Sequence, residues 1–291
     1  MAEIKTNQTI TLGDGRLLGY AEYGTPQGKP VFFFHGNPSS RLGGRLMDEA
    51  ANETNVRIIA VDRPGIGLSD FKPGRQYLDW PDDVTELADI LRIDRFAILG
   101  ISSGVPHTAA CAFKIPDRLS AVAIVSGPCP FNVPVATEEM SMAWRLRALA
   151  GQRAPWLVRF FFGIIACNAR HDPVGAVSRA IGGLPELDRL VMAQPEVVQW
   201  SSDSLREAFR SGSWGAAWDY ALLTRPWGFR LDGLSVKVQL WHGEADATIP
   251  VRMGRYMAEV IPNCQARFLP DEGHISLIIN HAKQILSNLV A

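Results

Sequence analysis

Phe96-Ala97-Ile98-Leu99-Gly100-Ile101-Ser102-Ser103-Gly104 is an apolar run that ends in Gly-x-Ser-x-Gly, and the small residues Thr108 to Ala112 follow it. The run is short, continuous and apolar, the pattern of a strand buried on both faces. A serine held between such a strand and a helix sits on a very tight turn, which lifts its hydroxyl out at the C-terminal edge of a sheet. Glycines two before and two after it are needed because a Cβ there would strike the neighbouring strand or helix. Pro106 falls in the first helical turn, where its missing N–H has no partner to lose. Gly-x-Ser-x-Gly arises by chance in many chains; here the strand before it and the helix after it give it meaning.

Outward from this turn, strand and helix signals alternate. Thr9 to Leu12 and Leu17 to Tyr23 flank Gly13-Asp14-Gly15-Arg16 and read as a β-hairpin. Val31-Phe32-Phe33-Phe34 and Arg57-Ile58-Ile59-Ala60-Val61 are further buried strands, with a helix expected over about 40–54 between them. Asp79 is placed to cap the next helix, with Pro81 in its first turn and Val84, Leu87, Ala88 and Leu91 on one face. Ala121 to Val125 is another buried strand. This rhythm predicts a mostly parallel sheet with helices on both faces.

The rhythm breaks over 128–231, where helical stretches punctuated by proline and glycine carry Trp144, Trp156, Trp200, Trp214, Trp218 and Trp227. We read this as a helical cap domain inserted into a core domain formed by 1–127 and 232–291. Most of its aromatics would build the cap's own core. Phe131, Met140, Trp144, Trp214 and Trp218 are the candidates for facing a substrate. The core then resumes with a strand over 236–241, a helix with Met253, Tyr256, Met257 and Val260 on its buried face, a short strand over 266–269 and a helix over about 277–290.

Bulk properties narrow the classes. The chain of 291 residues, 47% apolar and 20% charged, suits a soluble globular protein with one large core and an insertion. A net charge of −1 offers nucleic acid or an anionic membrane no electrostatic attraction, so neither is expected as a partner. The N-terminus lacks the basic-then-apolar run of a secretory signal. The most apolar stretch, from Trp156 to Cys167, is broken by Arg159 and too short to span a bilayer. Cys111, Cys129, Cys167 and Cys264 are scattered without metal-ligand spacing, which points to reduced thiols, a cytoplasmic setting and no metal.

A serine hydroxyl needs a base within hydrogen-bond reach and a third group to orient that base. His35 and His242 sit at strand ends before a glycine and read as packing residues. His107 lies in the helix after Ser102, His171 in the cap and His281 in the terminal helix. His274 alone follows a strand on the edge where Ser102 emerges. Asp246 follows the preceding strand on that edge and is the favoured orienting acid, with Glu244 as its competitor. Asp271 and Glu272 stand too near His274 in sequence to point back at its ring. No carboxylate follows the strand ending at Val125, where Ser126-Gly127 stands.

The order Ser102, Asp246, His274 resembles the α/β-hydrolase superfamily. His35-Gly36-Asn37-Pro38 is similar to its oxyanion loop, and Asp62-Arg63-Pro64-Gly65-Ile66-Gly67-Leu68-Ser69 to its glycine-rich turn, read here as structural. Gly243 to Asp246 and Gly273-His274 match its acid loop and Gly-His ending. The resemblance implies a mostly parallel eight-stranded sheet with a cap, an oxyanion hole built from the backbone N–H groups of Asn37 and Ser103, and no cofactor. It also implies hydrolysis of an ester or related acyl bond of a small, largely apolar substrate through an acyl-enzyme.

Relatives of the same fold act on amides, lactones, N-terminal peptide bonds and carbon–carbon bonds, and the fold does not choose among them. A peptidase, a C–C hydrolase or a lyase therefore stays open, as does a small-molecule receptor on the same scaffold. Dehalogenase-type chemistry is set aside because position 102 is serine and not aspartate. The oligomeric state, with a homodimer as one option, is open as well.

Overall fold

The computed structural model describes residues 5–137, 149, 151 and 153–291. Among these, eight strands form a single sheet in the order β1-β2-β4-β3-β5-β6-β7-β8. The strands are β1 (Lys5–Thr11), β2 (Leu17–Gly24), β3 (Lys29–Phe34), β4 (Val56–Val61), β5 (Phe96–Ile101), β6 (Leu119–Val125), β7 (Val238–Gly243) and β8 (Cys264–Leu269). The hairpin β1–β2 is antiparallel and meets β4 antiparallel; from β4 to β8 every pairing is parallel.

The inner strands β3 to β6 read as largely apolar runs because both faces are covered. Phe32, Phe34, Ile98 and Val122 face one core, closed by α2 (Trp80–Ile90), α3 (Val105–Lys114) and α10 (Val251–Val260). Val31, Phe33, Ile58, Leu99 and Trp241 face the other, closed by α1 (Asp48–Glu53) and α11 (Ser276–Leu289).

Two local expectations are corrected. The helix over 40–54 is a 3-10 segment, Arg41–Met47, that runs into the short α1. Gly43 and Gly44 weaken an α-helix there, and a Cβ on Gly44 would lie 2.6 Å from that of Ala60, so close packing on β4 sets the path. Asp79 does not cap α2 through its own side chain; its carboxylate accepts from the Gln76 N–H at 2.6 Å, closing a capping box around the preceding turn.

Between β6 and β7 the described residues hold no strand. They form α4 (Pro134–Thr137), α5 (Pro155–His171), α6 (Pro173–Gly182), α7 (Glu186–Met192), α8 (Pro195–Ala208) and α9 (Trp214–Leu223). Val158, Phe162, Ala169, Phe209, Ala216 and Ala217 make a third core there, joined by Ile66 from the turn after β4. The insertion is thus packed on the sheet domain above its C-terminal edge.

Candidate active site

Ser102 follows β5 directly and adopts φ +51°, a left-handed backbone that a serine holds only under constraint. The constraint is visible on both sides. A Cβ on Gly100 would collide with Thr108 Oγ1, and one on Gly104 with the carbonyl of Phe34. The turn is a junction between three closely packed backbones, and the strained serine is what projects from it.

The Ser102 hydroxyl lies 3.1 Å from His274 Nε2, and His274 Nδ1 lies 2.8 Å from Asp246 Oδ2. A carboxylate can only accept, so Nδ1 carries the proton and Nε2 presents its lone pair to the serine. Asp246 is itself pinned: its Oδ1 accepts from the N–H groups of Thr248 and Ile249, both at 2.8 Å. Burial pushes the Asp246 carboxyl up, but the imidazoles of His274 and His242 outweigh it and hold the group well below the usual carboxylate range. Glu244 is engaged elsewhere, 2.5 Å from Arg255 Nη2, and Glu272 pairs with His281 at 2.9 Å.

His35, His107 and His242 are placed as packing groups. His35 and His107 are buried, with Nδ1 facing the carbonyls of Gly36 and Ser103 respectively. His242 is buried with Nε2 2.8 Å from the Ile249 carbonyl.

Asn37 borders the same cavity as Ser102, and its side-chain Nδ2 donates to the Ala216 carbonyl of α9 at 2.9 Å. Gly36 passes so near Ser102 that a Cβ there would touch the serine Cβ at 3.4 Å. Ser103 lies in the turn Ser102–Gly104 that opens α3, where backbone N–H groups have no helical acceptor.

Two further residues escaped the sequence reading. Asp188 of α7 is fully buried and accepts from the N–H groups of His274 at 3.0 Å, Ile275 at 2.8 Å and Ser276 at 2.9 Å. It clamps the loop that carries the imidazole and caps α11. Arg63, in the turn assigned only a structural role, donates to the carbonyls of His35 at 2.5 Å and Gly36 at 3.1 Å, while its Nε meets Asp219 of α9 at 2.7 Å. No local pattern announces either contact, because each spans the sheet domain and the insertion.

Ser102 and His274 open into a cavity of about 390 Å³ between the sheet edge and helices α6, α7 and α8. Its insertion-side wall includes Val177, Ala180, Ile181, Met192, Trp200 and Leu205. Phe131, Trp214 and Trp218 do not line it. Trp214 is half exposed with the Arg159 guanidinium stacked 3.8 Å from its ring centroid, and Trp218 packs edge-on to Phe71 and donates to the Arg75 carbonyl. Phe131 lies in the turn before α4, away from the cavity wall. Met140 and Trp144 fall outside the described residues.

Comparison with known proteins adds to this geometry. The chain is 24% identical over 188 residues to a proline iminopeptidase of Xylella fastidiosa, covering 64% of this chain and 58% of that protein. The match spans little more than half the length of that relative. Among solved structures, a bromoperoxidase from Bacillus anthracis superposes with TM-score 0.71 at 21% identity, covering 98% of both chains. An esterase from Exiguobacterium antarcticum superposes with TM-score 0.71 at 17% identity, covering 98% of this chain and 100% of the other. A family model described as alpha/beta hydrolase fold matches residues 29–280. With that match across most of its length and the eight-stranded sheet beneath it, the chain belongs to the alpha/beta hydrolase fold family.

Proposed function

We propose that the chain is a serine hydrolase that cleaves a carboxylic ester, or a related acyl bond, of a small uncharged apolar substrate. The observation that carries this reading is the relay Ser102–His274–Asp246, with contacts of 3.1 and 2.8 Å, opening into an apolar cavity. In this reading, residues 128–231 are the cap domain that encloses the substrate against the core formed by 1–127 and 232–291.

As Ser102 Oγ attacks the carbonyl carbon, His274 Nε2 takes its proton, and Asp246 stabilises the imidazolium that forms. The backbone N–H groups of Asn37 and Ser103 receive the oxyanion, a contribution of about 3–4 kcal/mol per donor to the barrier. Collapse expels the alcohol, which takes the proton back from His274 and leaves an ester on Ser102. Water then attacks that ester with His274 again as base, releasing the acid and restoring the hydroxyl.

The cavity supports the substrate class. Its described wall carries no Asp, Glu, Lys or Arg, so a charged acyl or leaving group would be desolvated there without a partner, at a cost of several kcal/mol. About 390 Å³ lies within the ordinary range for small-ligand sites.

A fluorophosphonate probe tests the nucleophile: the adduct should map to Ser102 and vanish in Ser102→Ala. A panel of p-nitrophenyl esters tests the reaction, with turnover expected to fall about 10⁴-fold or more in both Ser102→Ala and His274→Ala. Labelling that persists in Ser102→Ala refutes the assignment. Tight binding of an ester without turnover would instead favour a receptor.

A further inference from the structure

We propose that the outer face of α5 docks the protein onto an anionic phospholipid surface. The inner positions of this helix, Val158, Phe162, Ala166 and Ala169, recur at helical spacing and pack into the core of the insertion. An ordinary surface helix would be polar on the other side. Here Trp156, Phe160, Phe161 and Ile164 stand out into solvent, at 72%, 63%, 58% and 47% exposure. Large aromatic groups grouped on one exposed face mark an interaction site, not scattered surface apolarity.

The charge around this face selects the partner. Residues 153–171 carry Arg153, Arg159 and Arg170 and no acidic residue, with Asp172 next in the chain, against a net charge of −1 for the whole sequence. The overall balance conceals a local cationic segment, which is why it offered no reason to expect a membrane. Beside α5 lies a cleft of about 300 Å³ lined in part by Arg159, Arg170, His171, Ser213 and Trp214, and by no carboxylate. The Arg159 guanidinium stacked on Trp214 is held at this cleft, where a lipid phosphate would find a cation and the aromatic face would enter the acyl boundary.

A second copy of the chain is a poorer fit, since a two-fold axis through this face would set its arginines against their own copies. Among the described residues no helix is long and apolar enough to cross a membrane, so the helix would lie on the surface. This docking is independent of the hydrolytic reading and is measured without turnover.

The test is co-sedimentation with vesicles of equimolar phosphatidylglycerol and phosphatidylcholine, against vesicles of phosphatidylcholine alone. The protein should partition at least about tenfold better onto the anionic vesicles, and less well as added salt shortens the Debye length from about 10 Å towards about 3 Å. The double variant Phe160→Ser with Phe161→Ser should lose at least about tenfold in binding, with an unchanged melting curve. If that variant fails to fold, Trp156→Ser alone must show the loss. No preference for the anionic vesicles, unaltered binding by the folded variant, or a dimer in light scattering that the variant dissolves would each overturn the proposal.

Discussion

Asp188 is a buried carboxylate that meets three consecutive N–H groups at the start of α11, the first of them belonging to His274. Free donors at a helix N-terminus and the positive end of its dipole offset the burial of its charge. It therefore fixes the backbone from which the imidazole reaches Ser102. Asp188→Asn keeps the volume but puts an NH2 group where an acceptor stood, and hydrogen bonds to a charged acceptor are worth about 1.5–3 kcal/mol. Urea titration should show a loss of about 2 kcal/mol, and kcat on a p-nitrophenyl ester should fall at least about tenfold with a smaller change in KM. An unchanged kcat would remove Asp188 from the positioning of His274. Ser102, Asp246 and His274 were legible in the sequence because each stands just past a strand on one sheet edge, beside a glycine or a turn. Asp188 was not, because its partners lie 86 to 88 residues away and nothing next to it in the chain says so.

At the scale of elements, α9 holds the loop that follows β3. Asp219 binds Arg63 and Arg75, and Arg63 in turn holds the carbonyls of His35 and Gly36. Burial pushes the Asp219 carboxyl up, yet the two guanidinium groups outweigh it and hold it below the usual carboxylate range. Removing the carboxylate leaves two buried cations, so Asp219→Ala should destabilise by about 3–5 kcal/mol in a denaturant titration. α6 supplies a wall of the cavity through Ala176, Val177, Ala180 and Ile181. Ala180→Phe should fill part of that space and move the preferred acyl chain of p-nitrophenyl esters towards acetate. Each buried methylene is worth about 0.8 kcal/mol, so the advantage of butyrate over acetate, up to roughly fifteenfold in kcat/KM, should shrink. An unchanged chain-length profile would exclude α6 from substrate contact. The inner strands were readable because burial on both faces writes a nearly unbroken apolar run. The cavity wall was not, since the apolar stripe of α6 looks the same whether it faces a neighbour helix or a substrate, and of the tryptophans named for substrate contact Trp218 packs on Phe71 while Trp214 stacks under Arg159.

For the molecule as a whole, two buried histidines tie stability to pH. Burial first, and Arg63 beside them second, hold His35 and His107 well below their ordinary value of 6.5. His107 Nε2 is buried without a hydrogen-bond partner, 4.0 Å from Asp219 Oδ1, and its ring packs edge-on to Tyr77 and Trp80. Both imidazoles stay neutral in the folded state while the unfolded chain takes up protons below about 6.5. The unfolded state then binds more protons, so stability is present above that pH and is lost as the pH falls through it. Stability should therefore fall between pH 7 and 5, as the unfolded histidines take up protons that the folded ones refuse. Asp219 adds to the same trend only lower down, since a depressed carboxyl keeps its contribution until the pH approaches the unfolded carboxylate range. Urea titrations across this window should therefore show the transition midpoint falling as the pH is lowered from 7 to 5. His107→Phe keeps an aromatic ring against Tyr77 and Trp80 and removes one of the two groups, so it should make the slope shallower. A slope the same as that of the parent protein would mean that His107 takes up its proton in the folded state, beside the Asp219 carboxylate 4.0 Å away.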